Sequence, residues 1–177
     1  LSAVASSGQR ISEPVRDRVL VAVSGGVDSA VAALRERERG ADVVAVTVKL
    51  WADPDTDGTK ACCSPEAVLG ARSLTLDLGI PHFTLDLEGP FRERVVGEFL
   101  RGYGEGRTPN PCVLCNGEVR IAAMVDLAER IGADSLVTGH YARVVEDEGG
   151  ALIAAGSDQA KDQSYMLAAL PPEVVGR

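Results

Sequence analysis

The sequence predicts an α/β fold: a parallel sheet flanked by helices on both faces. Three observations carry that expectation. Short β-branched apolar runs alternate with segments of helical period. The first run, Arg18 to Val23, is apolar after its opening arginine, as a buried parallel strand is. Gly- and Pro-bearing turns punctuate the joins.

The elements follow in order. Arg18 to Val23 is the first strand, and Asp28 to Arg39 a helix whose inward side carries Val31, Leu34 and the intervening alanines. Asp42 to Val48 is a second strand, and Asp53 to Thr59 a polar loop. Ser64-Pro65-Glu66 starts a helix, Ser as N-cap and Pro in the first turn, which stops at Gly79. A strand at His82 to Asp86 precedes a helix from Pro90 to about Tyr103, then a loop to Pro111. The next helix runs from about Asn116 to Ile131, with Ile121, Val125 and Ala128 at helical spacing. Asp134 to Thr138 is a fourth strand, and Tyr141–Val145 with Ala151–Ala155 a hairpin across Glu148-Gly149-Gly150. Right-handed crossovers place the loops after the strands along one sheet edge, where such folds bind ligands.

The bulk properties narrow the class. A chain of 177 residues, 45 % hydrophobic and 25 % charged, suits one soluble domain behind a polar extension over residues 1–17. No apolar run approaches a membrane span and no signal-peptide pattern opens the chain, so the expectation is no membrane and a cytoplasmic location. The first residue is Leu, which leaves room for a missing start. Cys62-Cys63 and Cys112-x-x-Cys115 make a poor framework for a secreted staple; reactive or metal-binding thiols in a reducing compartment fit better. The net charge of −8 argues mildly against nucleic acid across the whole surface, though not against a local site. Arg92, Arg94, Arg101, Arg107 and Arg120 alternate with glutamates and read as a solvated mixed-charge face.

Ser24-Gly25-Gly26-Val27-Asp28-Ser29, preceded by Ala22 and Val23, lies between the first strand and its helix. Two glycines let the backbone turn tightly and approach a ligand. Helix-start amides and the hydroxyls of Ser24 and Ser29 can then cradle an anion, with Asp28 suited to capping. A Gly-rich turn alone is weak evidence, but the full string resembles the SGGxDS loop of PP-loop ATP pyrophosphatases. It has neither the Lys of a Walker A loop nor a dinucleotide fingerprint.

Four further segments resemble the bacterial tRNA 2-thiouridylase branch of that superfamily. They are Val46-Thr47-Val48-Lys49-Leu50-Trp51, the run Thr108 to Asn116 (TPNPCVLCN), Thr138-Gly139-His140-Tyr141-Ala142-Arg143, and Lys161-Asp162-Gln163-Ser164-Tyr165. The set covers roughly residues 18–170. Departures are Gly117, which weakens a helix start there, Val48 where Met is common, and Cys112 where part of the family has Asp. A downstream cysteine and a C-terminal β-barrel of the family are absent from the sequence, so the chain reads as a fragment or an atypical short form, with residues 161–177 opening a tRNA-contacting linker.

The resemblance implies an adenine-nucleotide α-hydrolase fold, ATP and Mg²⁺ as cofactors, and 2-thiolation of the wobble uridine 34 of Glu-, Gln- and Lys-type tRNAs. Sulfur would come from a cysteine desulfurase or relay protein. The C2 oxygen is adenylated, and sulfur from a cysteine persulfide then displaces AMP. Cys115 is the implied catalytic thiol, closing a disulfide with the downstream cysteine; placed just ahead of a helix N-terminus, it would gain thiolate character. Ala22 to Ser29, Val48 and Gly139 are the implied nucleotide contacts. Asn110, Pro111 and Cys112 would border the target base, and His140, Lys161, Asp162 and Gln163 would touch tRNA. Two bland readings stay open: His140 as a satisfied strand-end histidine, and Asp162 as the N-cap of the last helix. Trp51 and Tyr141 read as packing residues more than base-stacking ones. Cys112 and Cys115 could also ligate a [4Fe–4S] cluster. The alternative functions are an ATP-binding module without turnover and a PP-loop amidating enzyme acting on a small metabolite.

Overall fold

The computed structural model describes residues 17–50 and 65–177. Residues 1–16 of the expected extension, Trp51, the 53–59 loop, Cys62-Cys63 and the Ser64 cap lie outside the described residues. The elements are β1 (Arg18–Ala22), α1 (Val27–Glu38), β2 (Asp42–Lys49), α2 (Pro65–Asp77) and β3 (His82–Asp86). They continue with helix α3 (residues 88–104), helix α4 (residues 111–131), β4 (Ser135–Val137), β5 (Ala142–Asp147) and β6 (Gly150–Ala155). A 3₁₀ turn (Ser164–Leu167) and α5 (Pro172–Val175) close the chain.

The order β3-β2-β1-β4 forms one parallel sheet, with Val21 opposite both Ala45 and Val137. β5 and β6 form a separate antiparallel hairpin. Successive strand residues point to opposite faces, and each face has its own core. Leu20, Val44, Val46 and Val48 pack with Cys115, Val119, Ile121 and Met124 of α4 and with Val95 of α3. Val19, Val21, Val23, Val43 and Ala45 pack against Ala33 of α1, Ala71 of α2 and Ile80. On the free side of β4, the Leu136 amide donates to the Arg177 carbonyl at 3.0 Å.

Helix α1 is rotated away from the expected face. Ser29 and Ala33 are buried, while Val31 is 45 % and Leu34 40 % exposed. Ser29 sets the rotation, because its hydroxyl bonds back into the turn below. Val31 and Leu34 lie roughly opposite it at about 100° per residue.

Helices α3 and α4 each begin earlier than the periodicity predicts. α3 starts at Glu88, ahead of Pro90, and α4 at Pro111, five residues before Asn116. Asn110 is the N-cap of α4: its Oδ1 accepts from the amides of Cys112 (3.0 Å) and Val113 (3.4 Å), with Pro111 in the first turn. Each helix also widens for one stretch, Arg92–Val96 and Cys115–Arg120. There the Gly97 amide reaches the Arg92 carbonyl and the Ile121 amide the Asn116 carbonyl, five residues back. Such widenings frequently mark functional sites. Gly117 does not start this helix; it sits inside the wide turn, where a Cβ would come within 2.8 Å of the Ala169 Cβ. The packing of residues 165–170 on α4 thus explains the glycine. Asn110→Ala, which removes the cap, is expected to lower the unfolding free energy by about 1 kcal/mol, read from the denaturant midpoint.

Candidate functional site

The turn after β1 is organised by its own hydroxyls. Ser29 Oγ donates to the Gly26 carbonyl at 2.9 Å, accepts from the Ser24 amide at 3.1 Å and lies 3.2 Å from Ser24 Oγ. The turn is anchored to β2: the Val23 amide donates to the Val46 carbonyl (2.8 Å) and Thr47 Oγ1 to the Val23 carbonyl (2.7 Å). Gly25 adopts φ 81°, a left-handed conformation that favours glycine, and a Cβ there would meet the Ala67 carbonyl at 2.7 Å. Gly26 is the N-cap of α1 and brings no side chain to the first-turn amides, so they have no partner inside the helix. Asp28 is not the cap. Its carboxylate accepts from the Tyr141 hydroxyl at 2.8 Å.

The segment after β4 presses on this turn. A Cβ on Gly139 would lie 2.9 Å from the Ser29 nitrogen and 3.2 Å from the Asp28 carbonyl carbon, so the two backbones touch. Tyr141 is braced in turn: its amide donates to Gln163 Oε1 (3.0 Å) and its carbonyl accepts from the Gln163 amide (2.8 Å). The Lys161 ammonium stands 5.2 Å from the centre of the Tyr141 ring. Asp162 accepts from the Gly156 amide (2.6 Å) and the Ser164 hydroxyl (2.8 Å), which ties the segment to β6; Gln163 holds the cap position of the 3₁₀ turn, while Asp162 accepts the turn's first amide, that of Ser164, at 3.3 Å. These contacts keep the Asp162 carboxyl below the ordinary carboxylate range, the Gly156 amide contributing most.

Beside the turn, where β1 and β2 end, lies a small cleft open to solvent. Ala22, Val23, Ser24, Val46, Thr47 and Val48 form its floor; Ala67 and Val68 of α2 and Arg120 and Met124 of α4 form its walls. Cys112 and Cys115 are on the same helix α4, one turn apart. Cys112 is exposed and Cys115 is 7 % exposed. Cys115 is the fifth helical residue rather than the one ahead of the helix, so it lies past the first turn over which a helix-end field acts. Cys112 occupies that turn instead.

The family described as "tRNA methyl transferase HUP domain" matches residues 17–177, nearly the whole chain. The chain belongs to this family. It is 48 % identical over 98 % of its length to "tRNA-specific 2-thiouridylase MnmA" of Sorangium cellulosum, covering 45 % of that protein. It is 49 % identical over 92 % of its length to "Bifunctional protein NifU/MnmA" of Rubrobacter xylanophilus, covering 32 % of it. A Cytophaga hutchinsonii protein, also named tRNA-specific 2-thiouridylase MnmA, is 39 % identical over 92 % of this chain and 45 % of its own. The chain therefore spans less than half the length of these relatives of the HUP-domain family.

Within this HUP domain, the fold gathers Ala22, Val23, Ser24 and Val48 around the cleft and sets Gly139 on the turn beside it. Asn110, Asp162 and Gln163 make the internal hydrogen bonds given above. The mixed-charge reading holds for Arg101 and Arg107, which pair with Glu98 and Glu105. It fails for Arg120, which turns inward to the cleft wall. The periodicity carried no sign of that, because the wide turn shifts Arg120 around the helix.

His140 is held below its ordinary 6.5 by burial first and the charge of Arg120 second, with its Nδ1 2.8 Å from Thr138 Oγ1. His82 is also held below 6.5, by burial and then Arg72. Its Nε2 lies 2.9 Å from Thr47 Oγ1, whose single proton goes to Val23, so that nitrogen is the donor. Both rings take protons less readily folded than unfolded, so below pH 6.5 the unfolded state binds more protons and stability falls. Denaturant midpoints are expected to drop as the pH falls below about 6.5, and to drop less after His140→Gln with His82→Gln.

Proposed function

We propose that the protein carrying this chain thiolates C2 of the wobble uridine 34 in Glu-, Gln- and Lys-type tRNAs, with ATP cleaved to AMP and pyrophosphate. The observation that carries the reading is the Ser24–Ser29 turn, a hydroxyl-braced anion cradle opening beside a cleft whose far wall is the helix bearing Cys112 and Cys115. The names of the relatives support tRNA as the substrate.

A C2 carbonyl oxygen is a poor leaving group. Its attack on the α-phosphorus forms an O–P bond, breaks the bond to the β-phosphate oxygen and releases pyrophosphate. Sulfur then adds at C2, and AMP departs with the original oxygen. The turn's amides, Ser24 and Ser29 would bind the phosphates, while Val48 and the apolar floor would take the adenine. Mg²⁺ would enter as counter-ion of the triphosphate. Asn110, Pro111 and Cys112 would border the base, and His140 and Lys161 would face tRNA, with Asp162 and Gln163 holding that segment in shape.

Cys115 would act on a persulfide carried by a second cysteine and charged by a desulfurase or relay protein. Its thiolate attacks the inner sulfur, the S–S bond breaks, sulfide leaves toward C2, and a disulfide remains for an external thiol to reduce. Among the described residues no third Cys, His, Asp or Glu stands with the two thiols as a metal-holding group, so these residues alone do not make a [4Fe–4S] site and no step is drawn through one.

The test uses the full-length protein with tRNA, ATP and a persulfide donor. The expected products are AMP, pyrophosphate and 2-thiouridine, with ATP consumption dependent on tRNA. ADP in place of AMP overturns the reading.

A further inference from the structure

Arg120 differs from every other described arginine. The rest are exposed to water; Arg120 is part-buried in the wide turn of α4. Its Nε is sealed from solvent with no hydrogen-bond partner, and among the described residues no carboxylate pairs with it. A guanidinium stays charged at any working pH, and a buried one without an acceptor costs stability. Such a group fits where a ligand supplies the missing acceptors. Arg120 lines the cleft that Ser24 also lines, so the cation and the phosphate turn border one space. The other walls there are apolar or hydroxyl-bearing, and no acidic residue competes for it.

We propose that the Arg120 guanidinium grips the α-phosphoryl group of the nucleotide held by the Ser24–Ser29 turn. The inference rests on the nucleotide reading above and deepens it. The planar fork matches two phosphoryl oxygens at once. At the α-phosphorus it would also offset the charge that builds up as pyrophosphate leaves. Position agrees: Arg120 is five residues beyond Cys115 on α4, and its charge bears on His140.

The test compares Arg120→Met and Arg120→Lys with the parent in the full-length protein, by calorimetric titration with ATP, AMP and pyrophosphate and by thermal melting without ligand. Arg120→Met is expected to weaken ATP and AMP about ten- to hundredfold and pyrophosphate hardly at all. Arg120→Lys should restore part of the loss. The ligand-free Tm of Arg120→Met should stay level or rise, since the removed group includes an Nε sealed from solvent without an acceptor. An arginine serving only the fold would lower Tm and leave affinity nearly unchanged, and that result overturns the proposal. Unchanged AMP binding, or pyrophosphate affected more than AMP, overturns it too. A parent protein that binds no ATP sinks the nucleotide reading itself.

Discussion

Gly139→Ala is expected to weaken ATP binding by at least about tenfold and to lower stability by about 1–3 kcal/mol. The added methyl would stand 2.9 Å from the Ser29 nitrogen and 3.1 Å from its Cα, both backbone atoms at the start of α1. No rotamer change relieves that contact. Either β4 and the segment after it retreat, or the first turn of α1 moves with the amides proposed to bind phosphate. Moving the turn also strains the Ser29 hydroxyl's bonds to Ser24 and Gly26 and the Tyr141 bond to Asp28. Calorimetric titration with ATP and a denaturant melt measure both effects. Gly26→Ala is the control within the same turn: its Cβ meets only Ser24 Oγ, at 3.5 Å, so the melt should fall only by the small cost of a poorer N-cap. If Gly139→Ala bound ATP like the parent, the turn would not depend on the segment behind it.

That dependence was only half legible in the sequence. The strings around Ser24 and Gly139 stand out, yet the residues that connect them are read from coordinates. The central strands are the most legible elements, because Val19 to Val21 and Val43 to Val48 are buried and rich in β-branched side chains. β3 falls at the expected bounds, His82 to Asp86. Helix faces were harder. Apolar size pointed to Val31 and Leu34, but the Ser29 hydroxyl set the rotation of α1 and small residues took the inside.

The start of α4 is written plainly in the sequence, as Asn110 before Pro111. A start at Asn116 instead places Cys115 ahead of the helix rather than within it. No periodicity reveals a wide turn. Arg120 reads from the sequence as one more arginine of a charged face, while the structure part-buries it and leaves its Nε sealed without an acceptor.

Cys115→Ala is expected to abolish 2-thiouridine formation, by three orders of magnitude or more, on the scale of losing a covalent nucleophile. ATP affinity should stay within about twofold, because Cys115 does not line the cleft. The fold should lose only about 1 kcal/mol for a sulfur removed from the cluster around Val46 and Val119. AMP and pyrophosphate should still form, slowly, as the activated uridine is lost to water. Cys112→Ala is the matching exposed site, and its milder effect would separate a thiol that handles sulfur from one that only borders the base. Burial makes the prediction sharp: a thiol 7 % exposed cannot meet a persulfide unless the helix or its cover moves during the cycle. Alkylation of Cys115 by a small electrophile should accordingly be slow in the free protein and quicken when tRNA and ATP are bound. Equal rates in both states, with thiolation surviving Cys115→Ala, would remove Cys115 from the chemistry.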